Sequence, residues 1–143
     1  MKNIEAAIDA AIKATGNVLI IGGECCGKSE LTEKISERML SDKISIVAIT
    51  NNRKIRNMVN EDPGSKYIFK QKGDNVDVKG IRNTRQDAIL IDECENIWDL
   101  PIDKKIILAI TSENIDRTVK ELDRYFETII RLNSEKIAEI IKG

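Results

Sequence analysis

The chain has 143 residues, the length of one domain, and is long enough to bury a core of its own. Its composition is 41% hydrophobic but only 3% aromatic, so the core is aliphatic and suits the short buried strands of a parallel sheet. A net charge of −1 excludes an overall basic field for nucleic acid or for a membrane surface. No apolar run approaches the roughly 20 residues of a membrane span.

The cysteines and the N-terminus bear on where the protein resides. The 3 cysteines, in a chain without histidine, match neither a disulfide framework nor a metal site of familiar spacing. Glu5 lies inside the helical pattern at the N-terminus, which argues against a signal peptide. We therefore expect a single cytoplasmic domain that spans residues 1–143.

Helices and strands are predicted to alternate along the chain. Apolar residues at helical spacing predict helices at 3–15 (capped by Asn3), from a glycine-rich turn to about 40, at 79–85, at 115–126 and, after a cap at Asn133 or Ser134, at 137–141. Short aliphatic runs predict strands at 17–21, 45–50, 67–69, 88–93, 105–109 and 128–132, with 67–69 at a sheet edge. The alternation predicts an α/β fold in which a mainly parallel sheet carries helices on both faces.

The stretch Gly22-Gly23-Glu24-Cys25-Cys26-Gly27-Lys28-Ser29 matches the phosphate-loop pattern G-x-x-x-x-G-K-[ST] between a predicted strand and a predicted helix. Loop N–H groups cradle phosphate oxygens, helped by the positive end of the following helix. Gly22 and Gly27 are expected to adopt backbone conformations that a Cβ disfavours. Lys28 is predicted to reach the β- and γ-phosphates, and the Ser29 hydroxyl to ligate Mg²⁺. The predicted nucleotide-binding residues are Gly22, Gly23, Glu24, Cys25, Cys26, Gly27, Lys28, Ser29 and Glu30.

A second motif is the aliphatic run at 88–91 that ends in Asp92 and Glu93. Ligands of open α/β sheets bind at the carboxyl edge of the strands, so both carboxylates are expected to face the phosphate loop. Asp92 is predicted to hold Mg²⁺, directly or through water. Glu93 is predicted to orient and deprotonate the attacking water in nucleotide hydrolysis, with Lys28 as the second catalytic residue.

Further polar residues are weaker candidates. The strand tip at 111–114, which starts with Thr111, is either a sensor of the γ-phosphate or the cap of the next helix. The segment 51–87 has the least clear pattern, and the arginines in it are each either a source of positive charge for the transition state or solvated surface. They are Arg53, Arg56, Arg82 and Arg85. Trp98 is expected to pack in the core.

The pattern resembles the secretion ATPases of bacterial type II and type IV systems, including pilus and conjugation motors. The segments that carry the resemblance are 17–29, 45–50 and 81–91, with Glu93 at the position of the Walker B glutamate. The resemblance implies a three-layer, RecA-like P-loop NTPase core that binds ATP and Mg²⁺. It also implies assembly into a homo-oligomer, a hexamer, and a protein partner from a secretion or conjugation system.

The chain departs from that family at several positions. Asn51 and Asn52 follow the second strand where acidic residues are usual, and Asp92 stands where glycine is frequent. Without histidine the family's His box is missing, and 143 residues leave no room for its N-terminal domain. Three functions therefore stay open: an ATPase, a nucleotide-binding switch or assembly subunit without significant turnover, and a small-molecule kinase. ATP is expected rather than GTP, since no motif for guanine is evident.

Overall fold

The computed structural model describes residues 3–71, 73–93 and 103–143. Within these ranges, seven strands form one central sheet. They are β1 Val18–Gly22, β2 Ile46–Thr50, β3 Lys66–Phe69, β4 Ala88–Asp92, β5 Lys105–Thr111, β6 Thr128–Leu132 and β7 Ala138–Lys142. Their order across the sheet is β3-β2-β4-β5-β1-β6-β7. The strands β1 to β6 are parallel, and β7 runs antiparallel to β6.

The helices of the described residues lie on both faces of this sheet. They are α1 Ile4–Lys13, α2 Lys28–Ser41, α3 Arg53–Asn60, α4 Val78–Arg82 and α5 Ile115–Leu122, followed by a 3₁₀ helix at Asp123–Tyr125. Alternate side chains of a strand point to opposite faces. Ile20 therefore belongs to the buried cluster that includes residues of α1, α2 and α3, whereas its neighbour Leu19 belongs to the cluster that includes residues of α4 and α5. The predicted α/β class, with a mainly parallel sheet between two helical layers, is confirmed.

The predicted helix at 137–141 is wrong, since this segment forms strand β7. The side-chain oxygen of Asn133 accepts hydrogen bonds from the main-chain N–H groups of Glu135 (2.9 Å) and Ile137 (3.0 Å), which turns the chain back onto β6. Apolar residues at 137, 140 and 141 fit helical spacing, but so short a segment is decided by its neighbours. Pairing with β6 satisfies the backbone groups that β6 would otherwise expose at the sheet edge.

One predicted helix cap is wrong, and one helix, α3, was not predicted. Asn3 adopts a left-handed backbone (φ 62°) and its side chain does not cap α1. Helix α3 lies in the segment where the sequence pattern is weakest. Its buried face consists of Ile55 and Val59, and the Asn52 side chain caps it by accepting a hydrogen bond from the Ile55 N–H. Among the described residues, no helix combines the length and apolar character needed to cross a bilayer.

Candidate functional site

The phosphate loop connects β1 to α2 through two residues with left-handed backbone, Cys25 (φ 57°) and Gly27 (φ 94°). The buried Cys26 thiol donates to the Gly23 carbonyl at 2.9 Å. The Lys28 ammonium donates to the same carbonyl at 2.7 Å and lies 3.8 Å from the Cys26 sulfur. These contacts close the loop on itself, and the Lys28 ammonium lies inside the turn that the loop makes.

Gly22 and Gly27 are needed for different reasons. Gly27 has the left-handed backbone that the sequence predicted. Gly22 does not, because it belongs to the extended strand β1, so the expectation of an unusual backbone there is wrong. A Cβ on Gly22 would lie 2.3 Å from the Cys26 sulfur and 2.9 Å from the Leu132 carbonyl oxygen. Gly22 is therefore required by the close approach of the loop and β6.

Four of the predicted nucleotide-binding residues are exposed to solvent: Glu24, Cys25, Ser29 and Glu30. The last two belong to the first turn of α2. Ser29 also lies at one end of an open groove between α2 and α3 that Glu33 and Lys54 help to line. The Ser29 hydroxyl is thus accessible at the helix N-terminus, where the sequence predicts a metal ligand.

The acid pair follows β4 at the same edge of the sheet. Because β5 pairs with both β1 and β4, with Gly22 opposite Thr111 and Asp92 opposite Ala109, the loop and Asp92 flank the end of β5. Two strand spacings amount to about 9–10 Å. The structure therefore brings the two predicted motifs together, as the parallel sheet required.

Asp92 is a half-buried carboxylate at the end of β4. Burial raises its pKa, and the nearby Glu93 acts in the same direction. A hydrogen bond from the Thr50 hydroxyl (3.2 Å) and the positive charges of Lys70 and Lys28 act against this rise. Asp92 thus lies in the electric field of the phosphate-loop lysine. Carboxylate oxygens suit a divalent cation, which favours the ionised form.

Glu93 has an unusual backbone and a fully engaged side chain. Its φ of 60° is left-handed, and its N–H donates to the Ala109 carbonyl at 2.7 Å. Its carboxylate accepts hydrogen bonds from the hydroxyl (2.5 Å) and the N–H (3.3 Å) of Thr111. Its carbonyl oxygen accepts a hydrogen bond from the Lys70 ammonium. Glu93 is therefore held by residues from two other parts of the chain.

The residues of the strand tip at 111–114 make two kinds of contact. Thr111 contacts Glu93, as described above, and its predicted role as a sensor of the γ-phosphate stays a prediction. The Asn114 side chain caps α5 by accepting from the Arg117 N–H (3.1 Å), and the Ser112 hydroxyl bonds the Thr118 hydroxyl at 2.7 Å. Only the first residue of this tip therefore touches the predicted catalytic glutamate within the described part of the chain.

The arginine candidates are all exposed: Arg53 and Arg56 on α3, Arg82 at the end of α4, and Arg85 beyond it. Trp98 lies outside the described residues. Sequence reasoning missed Thr50 and Lys70, which touch the acid pair from the ends of β2 and β3. Their position in the sequence could have indicated this contact, since both residues stand at the carboxyl end of a predicted strand.

The order of the strands and the helices on both faces define an α/β fold of the RecA-like type, in a chain with a phosphate-loop sequence. In a comparison with solved structures, the chain is similar to the crystal structure of the flagellar accessory protein FlaH from Methanocaldococcus jannaschii. The TM-score is 0.57 at 16% sequence identity, over 89% of this chain and 78% of that chain. No protein-family model matches the sequence. No curated protein matches it either. The likeness therefore establishes the fold.

Proposed function

We propose that the chain binds ATP with Mg²⁺ in the loop 22–29 and hydrolyses the ATP. The observation that carries this proposal is the meeting of a phosphate loop and an acid pair at one sheet edge, with Asp92 in the field of Lys28. This arrangement combines a cation for phosphate oxygens, a carboxylate for a metal and a second carboxylate for water. The similarity in fold to a RecA-like structure supports it.

Each residue has a distinct part in the proposed chemistry. The Lys28 ammonium exchanges the Gly23 carbonyl for oxygens of the β- and γ-phosphates, while loop N–H groups donate to the same phosphates. Oxygen ligands are what Mg²⁺ prefers, and the Ser29 hydroxyl and the Asp92 carboxylate would hold it. When bound, Mg²⁺ neutralises charge that develops on the phosphates.

Glu93 is the proposed general base, and it must move before it can act. Its carboxylate is bonded to Thr111 through both the hydroxyl and the N–H. To accept a proton from the attacking water, one carboxylate oxygen has to exchange Thr111 for that water. Hydrolysis is therefore expected to be slow until nucleotide binding shifts this equilibrium.

A nucleotide-binding switch without significant turnover is the second candidate. The specific observation in its favour is the same engagement of Glu93 by Thr111, which describes a resting carboxylate. Tight ATP binding with no phosphate release by the wild-type protein would establish this candidate in place of the ATPase.

Lys28→Ala tests the nucleotide site itself. Because Lys28 is the half-buried cation within the loop, its loss is expected to weaken ATP–Mg²⁺ binding at least about 100-fold, the effect of two charge-assisted contacts. The matched control is Lys34→Ala, which removes an exposed lysine from the same helix and should leave the affinity within about twofold. Isothermal titration calorimetry measures both. Equal affinities of Lys28→Ala and wild type would refute the assignment of the loop.

Assembly with other chains is also part of the proposal. A homo-oligomer, and a partner from a secretion or conjugation system, come from the sequence resemblance alone. Phosphate release that rises more than linearly with protein concentration is expected if neighbouring copies supply residues to the site. Strictly linear dependence would count against assembly.

A further inference from the structure

One buried cation beside the acid pair has no part in the chemistry proposed above. Lys70 directly follows β3 and is only 4% exposed. Among the residues that the structure describes, it is the one charged residue that is buried. A buried ammonium is costly unless hydrogen bonds replace its water, so its contacts are informative.

Within the described part of the chain, the hydrogen bonds of Lys70 all go to main-chain oxygens, and its charge also acts on Asp92. Its ammonium donates to the carbonyl of Glu93 and, at 3.2 Å, to the carbonyl of Gln71. Its own N–H donates to the Thr50 carbonyl at 3.2 Å, which extends the pairing of β3 with β2 by one residue. Since β2 lies between β3 and β4, the Lys70 side chain crosses the end of β2 to reach Glu93.

The Glu93 backbone needs such support. A non-glycine residue with left-handed φ is strained and persists only where its surroundings fix it. Here the N–H of Glu93 is fixed by Ala109 of β5, and its carbonyl by Lys70 from the opposite side. In this backbone conformation the Glu93 carboxylate lies against Thr111.

We propose that Lys70 is a positioning residue that fixes the left-handed main chain at Glu93 and thereby sets where the Glu93 carboxylate lies. It acts through the backbone of Glu93, not as a ligand of phosphate. The conformational part of the proposal stands on the hydrogen bonds alone. Its consequence for catalysis rests on the proposed ATPase function.

The conformational part is tested by NMR on the nucleotide-free protein. Lys70→Met keeps an unbranched side chain that is one atom shorter and removes the donor, while Lys66→Met changes an exposed lysine of the strand that Lys70 follows. The expected result is a large change in the carbonyl and Cα chemical shifts of Glu93 in Lys70→Met, and none in Lys66→Met. Equal shifts of Glu93 in the two variants would overturn the proposal. Should Lys70→Met fail to fold, Lys70→Gln is one atom shorter than lysine and is expected to displace the same resonances.

The catalytic part is tested by kinetics in two backgrounds. Lys70→Met is expected to lower kcat about tenfold and to leave the KM for ATP within about twofold, since it acts on a residue of the transition state. In a Glu93→Gln background the same change should have no further effect, because Lys70 acts through Glu93. An equal loss in both backgrounds would assign Lys70 a separate role and overturn this one. If wild type releases no phosphate but the Glu93 shifts still move, the ATPase proposal fails and the positioning by Lys70 stands.

Discussion

The two halves of the site are built in opposite ways. In the phosphate loop, Cys26 and Lys28 bond the carbonyl of Gly23, which lies 3 and 5 residues away in the chain. In the acid pair, Asp92 bonds Thr50 across 42 residues. Glu93 bonds Lys70 across 23 residues and Thr111 across 18. The Cys26 and Lys28 side chains of the loop therefore make local contacts, whereas the position of the carboxylates depends on strands from other parts of the sheet.

Substituting the loop glycines tests where the phosphate loop is closely packed. Gly22→Ala is expected to destabilise the protein by about 1–3 kcal/mol, since its Cβ would overlap the Cys26 sulfur and the Leu132 carbonyl. Gly23→Ala is the matched control, because a Cβ there meets nothing within 4 Å and should change stability by less than about 0.5 kcal/mol. Urea denaturation measures both. If the two variants were equally stable, the close approach at Gly22 would not be a constraint.

Neutralising Asp92 tests whether the acid pair is held at the expense of stability. At neutral pH, Asp92→Asn is expected to raise the free energy of unfolding by roughly 0.5–2 kcal/mol, because burial penalises the charged form and asparagine can still accept from Thr50. The same variant is expected to lose the Mg²⁺ dependence of ATP binding. Asp116→Asn removes a highly exposed carboxylate and should change stability by about 0.5 kcal/mol or less.

The pH dependence of stability gives the sign of this effect. The folded-state pKa of Asp92 is raised above the ordinary value of 3.8, so the folded protein keeps this proton when the unfolded chain has lost it. Asp92 therefore makes the wild-type protein lose stability as pH rises from 3.8 to the folded-state pKa, and Asp92→Asn should lack this loss. A pH profile of wild type that is parallel to that of Asp92→Asn would contradict the raised pKa.

The difference between local and distant contacts also explains what could be predicted. The motif at 22–29 and the aliphatic run before Asp92 are local, and they were enough to place the two motifs at one edge of a parallel sheet. Thr50, Lys70 and Thr111 could not be assigned as partners of the acids, because their contacts depend on strand order. The steric requirement for glycine at position 22 could not be predicted either, since the atoms that would crowd a Cβ there include the Leu132 carbonyl of β6.

Two short segments show the same limit for secondary structure. Strand β7 has apolar spacing that fits a helix, but the Asn133 turn and the open edge of β6 make it a strand. Helix α3 buries only Ile55 and Val59 in its short length, too few apolar residues to form a convincing pattern. In both cases tertiary contacts outweighed a weak local preference.

The measurement that tests the central claim most directly is phosphate release from ATP–Mg²⁺ by Glu93→Gln beside wild type, at equal nucleotide occupancy. If the loop binds nucleotide and the acid pair activates water, Glu93→Gln should bind ATP within about threefold of wild type and lose at least about 100-fold in turnover. Full turnover by Glu93→Gln would contradict the account, because water would then be activated without the carboxylate at the end of β4.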